Sequence, residues 1–183
     1  MNYVRGFAPW LCYAALSPVD WRLGTGVAAL AALLLLAAQL RARGVELLSA
    51  ATCVFFVVMA AIALTDPASG LKHWIGALAN GTLAATALAS LAVRRPFTLA
   101  FARAEVPREF WNAPRFIRVN MVLTTIWAAG FTLGALACAY VVHYDHSATV
   151  PLVTAQVLAF VVPFVLGGRY AERARAAAAQ ALA

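Results

Sequence analysis

The 183-residue chain is 64% hydrophobic and only 11% charged. A water-soluble domain carries about 25% charged residues and could not hide so much apolar surface. The net charge of +7 rests on arginines set among aromatics and apolar runs, which points to a membrane surface and away from nucleic acid. Cys12, Cys53 and Cys138 are odd in number, widely spaced and without a CxxC pair, which excludes a closed disulfide framework and leaves them as small buried hydrophobes.

Residues 3–19 are short for a span and are interrupted by Pro9 and Pro18, which predicts an interfacial or re-entrant segment. Arg5 precedes a brief apolar run without a small-x-small cleavage site, so the segment reads as uncleaved. Asp20, Trp21 and Arg22 mark a membrane boundary. The first full span is predicted at 23–40, with no charge and close to the roughly 20 residues that cross hydrocarbon as a helix. Arg41, Arg43 and Glu46 form a turn, and the second span covers 47–65. Asp66, Pro67, Ser69 and Gly70 carry turn chemistry, and the third span runs over 73–93.

Residues 94–118 then hold Arg94, Arg95, Arg103, Arg108, Arg115 and Arg118 against Glu105 and Glu109, interleaved with Phe97, Phe101, Phe110, Trp111, Phe116 and Ile117. A basic, aromatic-laced stretch between two spans is expected to lie amphipathically along the headgroups. Its rings enter the boundary while its guanidinium groups meet anionic phospholipid. Pro107 and Pro114 should break it into short pieces. The fourth and fifth spans follow at 119–142 and 150–168, with Pro163 as a kink and the tail continuing the last helix into water.

The expected fold is therefore an all-α integral membrane protein, a single polytopic domain over 1–183 with five transmembrane helices. An N-terminal interfacial segment and a cytoplasmic amphipathic segment between the third and fourth spans complete it. Five spans place Arg41, Arg43, the six central arginines, Arg169, Arg173 and Arg175 on one side, against Arg5, Arg22 and Lys72 on the other. The positive-inside rule makes the richer side cytoplasmic, with the N-terminus outside and the C-terminus inside.

Few residues offer chemistry. No Asp, Glu, Lys or Arg lies mid-span, against a proton pump with a buried carboxylate. Asn80, Thr124 and Gln156 are intramembrane polar groups that could line a small-ligand path, or hydrogen-bond between helices for about 0.6–2 kcal/mol each. Gly130 and Gly134 form a GxxxG stripe suited either to a homodimer or to internal packing. His73, His143 and His146 are placed on the outer side near Asp66 and Asp145, as a candidate metal or pH-sensitive cluster or as ordinary interfacial histidines. No catalytic motif is present and no cofactor is implied.

The order of certain pieces carries a resemblance. Phe7-x-Pro9 precedes the first span, a short loop leads to Lys72 and Trp74, and Arg95-Pro96 closes the third span. Glu105-Val106-Pro107 with Trp111 follows, then Asn120, Trp127 and Phe131. In these features the chain resembles the bacterial intracellular septation protein A (YciB-like) inner-membrane family over roughly residues 7–140. The intervals from Trp111 to Asn120 and from Asn120 to Trp127 are longer than that pattern, as in a divergent branch. The resemblance implies a role in septation and cell-envelope maintenance through contacts with envelope-synthesis or division proteins of the membrane. Read from the residues alone, the other function open to the chain is a small-solute transporter or channel centred on Asn80.

Overall fold

The computed structural model describes every residue except Met1, Pro18, Arg43, Glu105 and residues 181–183, and the side chains of 2–5 and 178–180 are likewise left aside. The expectations placed on Arg5, Pro18, Arg43 and Glu105 thus lie outside what is described. Seven α-helices and one 3-10 turn make up the fold, with no strand among the described residues. Five helices are long and apolar enough to cross a membrane. They are α2 (Trp21–Arg41), α3 (Leu47–Thr65), α4 (Leu71–Ala92), α6 (Pro114–Tyr144) and α7 (Thr149–Gln180). The chain has the architecture of a multi-pass membrane protein. It divides into two compact units, Met1–Ile75 and Gly76–Ala183.

In the first unit, α1 (Asn2–Leu16) runs through Pro9 without a break and packs along α2 and α3. Trp10 explains its attachment. The indole is buried, donates to the Thr52 hydroxyl at 3.2 Å, stacks on Phe55 and meets Phe56 at a tilt. A ring that size buries enough apolar area to hold a short helix, and its N–H has the partner that burial demands. Asp20 caps α2, its carboxylate accepting from the Arg22 amide at 2.8 Å and pairing with the Arg22 guanidinium at 2.7 Å. Gly24 lets the chain double back there, because a Cβ would stand 2.9 Å from the Ser17 nitrogen. Between α2 and α3, the Gln39 amide bridges the turn, donating to the Ser49 hydroxyl at 2.8 Å and accepting from the Glu46 amide at 3.1 Å.

In the second unit, α4 and α7 each pack antiparallel to α6. Gly76 and Asn80 of α4 approach Cys138 and Gly134 of α6, and Gly130 and Gly134 of α6 approach Pro163 and Ala159 of α7. Trp127, Phe131 and Phe160 form an aromatic contact between α6 and α7. Pro163 sits inside α7 and is fully buried, its ring filling the notch that Gly130 leaves.

The connection from α4 to α6 corrects one expectation. As anticipated, it is broken into short pieces, α5 (Thr98–Ala102) and a 3-10 turn (Arg108–Phe110), with Pro114 opening α6. Its first half, however, is not a strip of rings along the headgroups. Phe97, Leu99 and Phe101 are buried, and Thr98 is 3% exposed. The physical reason is a polar tie: the Thr98 hydroxyl donates to the Asn120 carbonyl at 3.0 Å and lies 2.9 Å from the Thr124 hydroxyl.

Candidate functional site

Ser90 begins the most charged end of the molecule. Arg95 N–H donates to the Ser90 carbonyl and Arg94 N–H to the Leu91 carbonyl, both at 2.9 Å, closing α4 with Arg94 at φ 55. This is a Schellman ending, and the left-handed residue it requires is usually glycine. The Ser90 hydroxyl also accepts from the Phe97 amide at 3.2 Å, turning the chain inward past the buried Pro96.

Arg94, Arg95, Arg103, Arg108, Arg115 and Arg118 are all exposed and have no carboxylate partner among the described residues. Glu109 is exposed beside them and forms no ion pair with them. Trp111 organises two of the six. Its indole N–H donates to the Val106 carbonyl at 2.9 Å, while the Arg103 and Arg108 guanidinium carbons lie 5.2 and 5.6 Å from its ring centre. Trp111 is thereby half-covered, whereas the neighbouring Phe110 is 51% exposed and is the open apolar ring of this stretch.

The antiparallel packing adds a further group. The Arg115 guanidinium donates to the Ala174 carbonyl of α7 at 3.2 Å, so the start of α6 and the last turns of α7 lie side by side. Arg169, Arg173 and Arg175 therefore share the end of this unit that carries the six central arginines. Every arginine of residues 76–183 is at that end, and the opposite end has His143, Asp145 and His146. Helix α6, with 31 residues, is about 46 Å long at 1.5 Å per residue. That exceeds the roughly 30 Å of bilayer hydrocarbon, which lets Arg115 and Arg118 stand clear of it.

The buried polar residues fall into two separate places. Thr124 belongs with Thr98 and Asn120, near the basic end. Asn80 lies a different way along α6, beside Gly134, about 15 Å of helix from Thr124. Gln156 is with Asn80: both side chains border Gly76, to which Asn80 donates at 2.9 Å. Asn80 and Asn120 each spend their amide N–H on the carbonyl four residues back, and each leaves a buried side-chain oxygen without a donor. Sequence reasoning missed Ser90, Thr98 and Asn120 as structural polar groups. Only pairings across tens of residues distinguish Thr98 from any surface threonine.

Among the described residues, no group of three His, Cys, Asp or Glu side chains comes together as a metal-binding set. The Asp145 carboxylate accepts from the Ser147 hydroxyl and then from its backbone N–H, which hold it below the usual carboxylate range. The close approach that Gly130 and Gly134 allow is made within the chain, to α7.

Compared with known proteins, the chain matches no family model, no curated protein and no solved structure.

Proposed function

We propose that this protein holds anionic phospholipid headgroups at the arginine-rich end of its second unit and presents that surface to other membrane proteins. The observation that carries the reading is the segregation of charge. Nine arginines gather at one end of residues 76–183, and the six of the central segment are exposed without carboxylate partners among the described residues. By the positive-inside rule this end is cytoplasmic, which places the C-terminus in the cytoplasm and, with five spans, the N-terminus outside. On the resemblance noted in the sequence, that membrane is the bacterial inner membrane. The resemblance carried by Phe7, Pro9, Arg95, Pro96, Pro107 and Trp111 makes the role one in septation and envelope maintenance, acting by lipid and protein contacts.

Replacing Arg103, Arg108 and Arg115 together by Gln tests the lipid contact. Each basic residue near an anionic surface contributes about 1 kcal/mol, so the detergent-solubilised triple variant should bind added phosphatidylglycerol about a hundredfold more weakly than wild type. The wild-type interaction should also weaken with added salt. Equal binding by both proteins at low salt would leave the arginines as topology determinants alone. Recovery of the same membrane partners by both would remove the docking role.

A further inference from the structure

The arginines of the central segment are not equivalent, because two of them share one ring. The Arg103 and Arg108 guanidinium carbons stand 5.2 and 5.6 Å from the centre of the Trp111 indole. They are therefore no farther apart than those distances combined. The ring itself is pinned. Its N–H donates to the Val106 carbonyl at 2.9 Å, and the Trp111 amide donates to the Arg108 carbonyl at 3.2 Å. Arg103 closes α5, its amide donating to the Leu99 carbonyl at 3.0 Å, and α5 is tied down by the buried Thr98. Both guanidiniums are thus carried on ordered backbone and steadied by a common ring. Cation–π attraction uses the charge of a guanidinium and leaves its fork of N–H donors for another partner. Neither fork is engaged among the described residues, and the adjacent Glu109 pairs with neither.

We propose that Arg103 and Arg108, positioned by Trp111, form a site selective for a phospholipid whose headgroup carries two phosphates joined through one glycerol, as in diphosphatidylglycerol. The proposal rests on the reading that the arginine-rich end holds anionic phospholipid, and narrows it to one lipid class. Each fork meets one phosphate in the bidentate geometry that guanidinium and phosphate share. Once the first phosphate is bound, the second is tethered beside the second guanidinium, so its binding is intramolecular and gains from a high effective concentration. Separate single-phosphate lipids have no such gain. The ring adds to it, because an arginine loses much rotamer freedom on binding and the indole has already restricted both. Phe110, 51% exposed beside them, gives the lipid glycerol and first acyl carbons an apolar contact that a soluble bisphosphate leaves unused. Basic pockets on the cytoplasmic side of membrane proteins hold headgroups of this kind. Trp111 touches no phosphate and acts through the two arginines.

Detergent-solubilised protein is titrated with diphosphatidylglycerol and with phosphatidylglycerol at equal total phosphate, and retained lipid is read by native mass spectrometry. Wild type should half-saturate at about tenfold lower phosphate with the two-phosphate lipid. Trp111→Leu should remove that preference while its phosphatidylglycerol binding changes by less than about twofold. Arg103→Lys with Arg108→Lys keeps both charges, loses the planar forks and should do the same, so the test stands even where Trp111→Leu does not fold. Equal binding of the two lipids by wild type, lost when Arg103, Arg108 and Arg115 become Gln, would overturn the site and leave the general lipid reading intact. No binding of either lipid would remove both. A preference that survives in the Leu or the Lys variant would overturn the part given to the ring and the forks. The deacylated headgroup, bis(glycerophospho)glycerol, separates lipid from soluble phosphate. It should displace the lipid only at about a hundredfold excess, and equal potency would overturn the assignment to a lipid.

Discussion

The Arg95 amide reaches back 2.9 Å to the carbonyl of Ser90, and the turn that allows this holds Arg94 at φ 55. A side chain with a Cβ costs about 1–2 kcal/mol in the left-handed region, whereas glycine enters it freely. The basic residue at the end of α4 is therefore carried at a cost in stability. Arg94→Gly should stabilise the fold by about 1 kcal/mol in reversible unfolding, while removing one charge from the arginine-rich end. Arg94→Val should move stability the other way. Unequal direction in the two variants is the required result, and two losses of similar size would show that the guanidinium itself supports the fold.

Gly130 and Gly134 make a prediction about packing. A Cβ on Gly130 would overlap Pro163, and one on Gly134 would stand 2.5 Å from the Ala159 methyl. Neither obstacle is a flexible chain end, so relief requires α6 and α7 to separate. Gly130→Ala and Gly134→Ala should each destabilise by about 1–3 kcal/mol, the usual range for overpacking a filled interface. Unfolding in mixed detergent measures this, and cross-linking of the same samples reports the copy number. Full stability with a changed copy number would move these glycines from internal packing to a contact between copies.

The five spans were readable because each apolar run is near the length that hydrocarbon demands and is bounded by charge or turn residues. Asp20-Trp21-Arg22 before α2 and Asp66-Pro67 after α3 are such boundaries. The tail was equally plain, since its Ala-rich composition extends α7. What stayed hidden depends on partners distant in sequence. Trp10 reads as one more residue of an interfacial segment until Thr52, 42 residues on, is seen to accept its N–H. Phe97 and Phe101 look like headgroup anchors until Thr98 is tied to Asn120 and Thr124. Composition reports that a segment is amphipathic, and only the tie decides which side of it faces the bundle. Likewise Asn80, Thr124 and Gln156 have the same polarity in sequence. The antiparallel register alone separates Thr124 from the other two.

The cap of α2 gives a pH dependence. Asp20 has its carboxyl held below the usual range, first by the hydrogen bond from the Arg22 side chain and then by the Arg22 backbone N–H. A carboxylate with a lowered folded-state value binds protons more readily when unfolded. Its contribution is thus full above the ordinary Asp range and is lost as pH falls through the lower folded value. Asp20→Ala should lower Tm at pH 7, and the gap from wild type should narrow as pH drops below about 4. A gap independent of pH down to 3 would mean that the charge on Asp20 plays no part in the cap.

Thr98 supplies the sharpest test of how the basic segment is held. Its hydroxyl, 3% exposed, meets the Asn120 carbonyl at 3.0 Å and the Thr124 hydroxyl at 2.9 Å. Thr98→Val keeps the shape but removes the hydroxyl, leaving two buried polar groups short of a partner, which should cost about 1–3 kcal/mol. Thr98→Ser keeps the hydroxyl and loses one methyl, for about 0.8 kcal/mol at most. Loss of the tie should also loosen the chain around Phe97 and Phe101, whose backbone amides would then exchange hydrogen faster in the Val variant than in the Ser variant. If the two variants unfold at the same denaturant concentration and exchange alike, burial of the rings rather than the hydroxyl fixes this segment.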